Sequence, residues 1–225
     1  MNTLEICCDS LTSALAAQAG GADRIELCSA LSLDGLTPSA GLLAEVNKHL
    51  TIPVFVMIRP RGGDFCYTED ELLVMLADIR LAKELGADGI VSGPLAADGR
   101  VDVRRTRQLL AAASPLPFTF HKAFDRTPDL LEALSTLKDL GVDRILTSGG
   151  AETALAGKAL LGQLQDRAGD RLRIMAGGGV RSGNLAELTA MGNLLEFHSS
   201  ARGKNGHETE AREVAALKAL LSEKQ

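Results

Sequence analysis

The sequence predicts an α/β protein built as one compact (β/α)8 TIM barrel over residues 1–225. Three observations predict it. First, one phrase recurs: Gly21-Ala22-Asp23-Arg24-Ile25, Gly86-Ala87-Asp88-Gly89-Ile90 and Gly141-Val142-Asp143-Arg144-Ile145, with a weaker fourth at Gly192-Asn193-Leu194-Leu195. Second, the steps from Gly21 to Gly86, Gly141 and Gly192 are 65, 55 and 51 residues, each room for two strand–helix units. Third, the chain alternates short apolar runs with amphipathic stretches eight times. An open doubly wound sheet is the rival arrangement.

The strands are expected at 3–7, 23–28, 53–59, 88–92, 117–121, 143–148, 172–176 and 194–198. Each recurring Gly is a candidate left-handed residue that ends a helix, and the apolar run after it a buried parallel strand. Thr37-Pro38 and Thr127-Pro128 place a cap before a proline at the first helical position. Thr68-Glu69-Asp70-Glu71 reads as a capping box. Asp9-Ser10 and Asp102 are further caps. Leu72, Leu73, Leu76, Ile79 and Leu85 give the third helix a buried face, and Val214, Leu217, Leu220 and Leu221 do so for the last. Residues 201–210 form the one polar stretch that reads as mobile.

Composition narrows the function. Of 225 residues, 45% are hydrophobic and 24% charged, as a folded core requires, and the net charge is −5. A mildly acidic chain with one Tyr, no Trp and no basic run suits neither nucleic acid nor a membrane surface. No secretory signal and no apolar membrane-spanning run is visible. Four Cys are too few and too uneven for a disulfide framework, so a cytoplasmic protein with reduced thiols is expected.

In a barrel, alternate strand residues point inward and chemistry sits where strands finish. The inward set is then Glu5 and Cys7, Glu26 and Cys28, Phe55, Met57 and Arg59, Thr119 and His121, and Glu196 and His198. Leu4, Ile6, Ile25, Leu27, Val54, Val56, Ile58, Phe118, Phe120 and Phe197 face the helices. Three carboxylates, an Arg and two His about one axis must pair or bind something. They form either an ion-pair lattice around Arg59 or a ligand site with groups suited to proton transfer. Glu and His on strand ends also suit a hard divalent metal.

Cys7 and Cys28 lie on neighbouring strands ~4.8 Å apart, a soft pair suited to Cu(I), or two small hydrophobes. Cys8 should face the helices, and Cys66 sits in a loop.

Three loops complete the mouth. Arg59 and Arg61, within Arg59-Pro60-Arg61-Gly62-Gly63-Asp64-Phe65, could clamp an anion or form a lid. His121, Lys122 and Asp125 gather ionisable groups after the fifth strand. Gly177, Gly178 and Gly179, with Ser199 and Ser148, form a candidate anion cradle.

At these residues the sequence resembles the CutC family, known as copper homeostasis proteins. The matching strings include Glu5-Ile6-Cys7, Arg24-Ile25-Glu26-Leu27-Cys28, Arg59 through Phe65, His121-Lys122-Ala123-Phe124-Asp125 and Glu196-Phe197-His198-Ser199-Ser200-Ala201, within residues 4 to 203. The resemblance implies a (β/α)8 barrel, a cytoplasmic homo-oligomer, and Cu(I) at the cysteines matching Cys7 and Cys28. Two departures stand out. The family usually has Arg where this chain has Lys122, and a longer segment after the eighth strand.

Two functions follow. One is a Cu(I)-binding homeostasis protein using Cys7 and Cys28. The other is an enzyme performing lyase- or isomerase-type acid/base chemistry on a small anionic or sugar-like molecule. Glu5, Glu26 and His121 would then be its acid/base candidates. A barrel that binds without turnover is the bland alternative.

Overall fold

The computed structural model describes residues 2–203 and 208–222. Eight parallel strands close into a barrel in chain order: β1 (Thr3–Cys8), β2 (Arg24–Leu27), β3 (Val54–Met57), β4 (Gly89–Ser92), β5 (Phe118–Phe120), β6 (Arg144–Thr147), β7 (Arg173–Ala176) and β8 (Glu196–Ser199). The helices between and after them are α1 (Leu11–Ala19), α2 (Ala40–His49), α3 (Glu69–Glu84), α4 (Val103–Ala113), α5 (Leu130–Leu140), α6 (Lys158–Ala168), α7 (Leu185–Thr189) and α8 (Ala211–Ser222). The open-sheet rival is excluded, because β1 pairs with β8. Among the described residues no helix is long and apolar enough to cross a membrane.

The local signals act largely as expected. Gly21, Gly86, Gly141 and Gly192 all have φ between +79 and +88°, where a side chain would be strained. Ser10 and Asp102 cap α1 and α4, and Thr68 with Glu71 forms a capping box on α3. Two caps differ. α2 is capped by Ser39 and α5 by Asp129, two residues beyond Thr37 and Thr127. Each offers a carboxylate or hydroxyl to free helix N–H groups one step after the proline. On α3 the buried face is Leu72, Met75, Ile79 and Ala82, while Leu73 points outward. On α8, Val214, Leu217 and Leu221 are buried. Of the polar stretch 201–210, residues 204–207 lie outside the described residues.

The outward strand faces behave as the alternation requires. Leu4, Ile6, Ile25, Leu27, Val54, Val56, Ile58, Phe118, Phe120 and Phe197 join one apolar layer between strands and helices, with Cys8 among them. The inward faces hold nearly all the buried charge. Parallel pairing sets their heights: Cys7 pairs with Glu26, Glu26 with Phe55, and Glu5 with His198.

Candidate metal centre and barrel mouth

The lower interior is an ion-pair lattice. Arg24 on β2 binds Glu5 on β1, and reaches Glu196 on β8 at 3.0 Å. Arg144 on β6 binds the same Glu196. Both guanidinium groups lie over the Phe55 ring, at 4.7 and 5.4 Å from its centre. The ring fits because β4 offers Gly89 there: a Cβ would come within 2.6 Å of it. The lattice therefore forms around Arg24 and Arg144, not around Arg59. Arg24 shares the inward parity of Glu26, and Arg144 that of Leu146. Glu5 and Glu196 are consumed in these pairs. Burial raises the Glu5 pKa, but Arg24, His198 and Arg144 outweigh it and hold the carboxyl far below its usual range.

One layer higher, three different donors meet. Cys7 Sγ, a Glu26 carboxylate oxygen and a His198 ring nitrogen lie within 4.8 Å of one another, all buried. His198 Nδ1 meets Glu5 Oε1 at 2.7 Å, and its Nε2 faces Glu26 Oε2 at 3.9 Å. Glu26 Oε1 has no hydrogen-bond partner. Burial, opposed by His198 and Arg24 and reinforced by Glu5, pushes Glu26 up to about 7. Burial disfavours the charged His198, yet Cys7, Glu26 and Glu5 around it raise its pKa well above the ordinary value.

Cys28 lies outside this group. The ladder sets Glu26, not Cys28, beside Cys7, so the second thiol sits a step higher. There it packs with Phe55, Met57 and Val91 and donates to the Cys8 carbonyl at 3.5 Å. Burial pushes its thiol pKa far up. Cys66 is half-buried in the loop after β3.

The upper wall comes from strand ends and loops. Arg59 donates to the carbonyls of Leu33, Gly35 and Gly63 at 2.5, 2.9 and 3.1 Å, with Phe65 stacked on its guanidinium. Arg61 turns to Glu71 at 2.5 Å and to the Cys66 carbonyl at 2.8 Å. The expected two-Arg clamp is thus engaged in fixing its own loops. His121 directly follows β5, and its Nδ1 accepts the Ala123 N–H at 3.2 Å. The ring proton therefore resides on Nε2, which has no partner. Burial, then Arg59, lowers this histidine to about 3, so it is a neutral donor. Lys122 Nζ reaches Ser148 Oγ at 2.8 Å and Asp125 at 3.0 Å. Asp125 also accepts from Thr147 Oγ1 and from the N–H groups of Ser148 and Gly150 at 3.0 and 2.9 Å.

A cavity of about 610 Å³ opens above the three donors. Cys7, Glu26 and His198 line its floor, and Arg59, His121, Lys122, Asp125, Ser148, Gly178, Gly179 and Ser199 its sides. Glu5, Cys28, Arg61, Gly177 and Glu196 are not lining residues. Gly177 instead lets Leu146 approach: a Cβ would lie 2.4 Å from Leu146 Cδ1. Sequence reasoning missed Arg24 and Arg144, and gave no role to Arg181, which also faces the cavity.

Known proteins resemble this chain in sequence and in fold. The model of the CutC family matches residues 2–203. A copper homeostasis protein cutC homolog of Homo sapiens is 52% identical over 199 residues, 88% of this chain and 73% of that protein. A family protein CutC of Klebsiella pneumoniae (strain 342) is 52% identical over 201 residues, 89% of this chain and 81% of that protein. A crystal structure of a CutC from Streptococcus agalactiae superposes with a TM-score of 0.85 at 36% identity, covering 89% of this chain and 99% of that one. A thiamine phosphate pyrophosphorylase from Pyrococcus furiosus shares the barrel fold, with a TM-score of 0.67 at 15% identity over 98% of this chain and 96% of that one.

Proposed function

The chain belongs to the CutC family, and from that premise we propose that it carries a copper ion on the floor of its barrel mouth. Cys7 Sγ and His198 Nε2 are the main ligands, with Glu26 as the third donor. The proximity of these three donor atoms, within 4.8 Å, carries the reading. The donor chemistry fits the cargo: thiolate and imidazole are good copper ligands, thiolate especially for Cu(I). Glu5 on Nδ1 fixes the ring so that Nε2 is the ligating atom, the usual outer-shell arrangement for a metal-bound histidine. Copper homeostasis in the relatives' names supports this choice of ion. The Cys7–Cys28 pair implied by the resemblance is less favoured, since Cys28 is held by a carbonyl in an apolar pocket.

Titration of reduced protein with Cu(I) against a competing chelator tests the proposal. One equivalent should bind. Cys7→Ser and His198→Ala should each weaken binding by at least about 10–100-fold, the scale of a lost metal-site contact. Wild-type affinity in Cys7→Ser would remove the site.

The cavity favours a second reading. At about 610 Å³ it is far larger than an ion and is in the range of small-molecule sites. Here the protein is an enzyme acting on a small anionic or sugar-like substrate, with Glu26 and His121 as the proton-transfer pair. Substrate loss from a metabolite extract, abolished by Glu26→Gln and His121→Ala, is its test. On either reading the protein is taken as a cytoplasmic homo-oligomer of single-domain barrels; light scattering on the purified chain checks the oligomer.

A further inference from the structure

The turn after β7 has an imbalance in its backbone bonding. Its carbonyls are all engaged: Gly178 O by the Ala154 N–H at 2.8 Å, Gly179 O by Asn184 Nδ2 at 2.8 Å, and Val180 O by Ser199 Oγ at 2.6 Å. Its donors are not. Among the described residues the N–H groups of Gly178, Gly179 and Val180 meet no acceptor. Val180 is buried, and buried N–H groups are rarely left unpaired. The backbone turns through φ +100° at Gly178 and +69° at Gly179. A run of N–H groups in such a turn makes a concavity suited to anions.

The surroundings add to it. Lys122 Nζ lies against the turn, 3.1 Å from where a Cβ on Gly178 would be. It donates to Ser148 and Asp125, which leaves its third proton. Arg59 and Arg181 line the same cavity, and each donates to carbonyls or a hydroxyl with no carboxylate partner among the described residues. Deeper in the cavity are two buried, unpartnered polar atoms of opposite character, the donor His121 Nε2 and the acceptor Glu26 Oε1. Such a pair complements the hydroxyl or carbonyl of an organic molecule.

We infer that the Gly178–Gly179–Val180 turn and Lys122 seat the phosphoryl group of a small phosphate monoester, whose organic part extends toward His121 and Glu26. This rests on the second reading above, in which the cavity holds an organic substrate. Three backbone N–H groups and an ammonium match the three terminal oxygens of a monoester better than the two of a carboxylate.

The test uses glycerol 3-phosphate, D-glycerate and inorganic sulfate with the full chain, followed by calorimetry and by amide ¹⁵N–¹H shifts. Glycerol 3-phosphate should bind saturably and shift the Gly178, Gly179 and Val180 amides. It should bind more tightly than glycerate or sulfate, and about tenfold more weakly to Lys122→Gln, as for one lost charge-assisted contact. Cys28→Ala, whose side chain lies outside the cavity, should leave this affinity unchanged, and substrate loss from the extract is read independently of these shifts, so the two readings fail separately. Glycerate binding as tightly would overturn the phosphoryl assignment. Sulfate binding as tightly would reduce the turn to an adventitious ion site only and overturn the ester. No shift at these three amides would overturn it as well. The shifts need no variant, so the test stands even where Lys122→Gln is unstable.

Discussion

Glu5 and His198 face each other across the seam where the first and last strands pair, Oε1 to Nδ1 at 2.7 Å. One carboxylate thereby serves two layers, holding Arg24 below and aiming the His198 ring above. Replacing Glu5 by Gln should disturb both. Breaking one member of a buried ion pair leaves a stranded charge, at about 3–5 kcal/mol. The urea midpoint should fall accordingly, and copper affinity should drop by about 10–100-fold, as for other outer-shell partners. A variant with unchanged copper affinity would detach Glu5 from the metal centre.

Cys28→Ala separates the two thiols. Its side chain packs with Phe55, Met57 and Val91. The variant should keep wild-type Cu(I) affinity and lose about 1 kcal/mol of stability from the lost packing. A fall in affinity comparable to that of Cys7→Ser would restore the cysteine pair as the copper site.

Gly93 and Gly141 should both lose stability on change to alanine, but for different reasons. At Gly93 a Cβ would lie 2.5 Å from His121 Nδ1, so the ring must move or the strand shift. Overpacking of this kind costs about 1–3 kcal/mol. At Gly141, φ is +81° but nothing lies within 4 Å, leaving only left-handed backbone strain of about 1–2 kcal/mol. Thermal melts compare the stabilities. The discriminating readout is the His121 ring resonance, which should shift in Gly93→Ala and stay fixed in Gly141→Ala.

Asp125 sets an acid limit. Burial raises its pKa, but Lys122, Thr147 and the Ser148 and Gly150 N–H groups outweigh that and hold it below the free value of 3.8. Its stabilisation is therefore fully present above the unfolded-state pKa and disappears as pH falls through the lower folded-state value. Asp125→Asn should be less stable at neutral pH and lose less on acidification. Denaturation midpoints between pH 7 and 2 would show this as a flatter acid limb.

The fold was legible because its signals are local. Helix-ending glycines, caps and period-two strands place all eight units, and Glu5, Cys7, Glu26, His121 and His198 all point inward as the alternation requires. What the sequence conceals is height and partnership. Parity puts Cys7 and Cys28 on one side of their strands, but only the parallel register reveals that Glu26 is the neighbour of Cys7. Arg24 and Arg144 carried the right parity too. They stand inside the recurring Gly-x-Asp-Arg phrase, at the start of the expected strands 23–28 and 143–148, where the inward set took in Glu26 and Cys28 but not the arginines. Arg59 misled in the other direction, because the carbonyls that occupy it belong to loops whose path no periodicity encodes.

Arg24, Arg144, Glu5, Glu196 and Phe55 plug the lower end of the barrel, so among the described residues the cavity at the mouth is the way in. Lys122 and the glycine turn line the cavity whose floor holds Cys7. Occupants would therefore stack, the ion beneath and the organic molecule above, and the last to enter would leave first. Copper exchange should then slow when the upper berth is filled, with no change of shape anywhere in the protein.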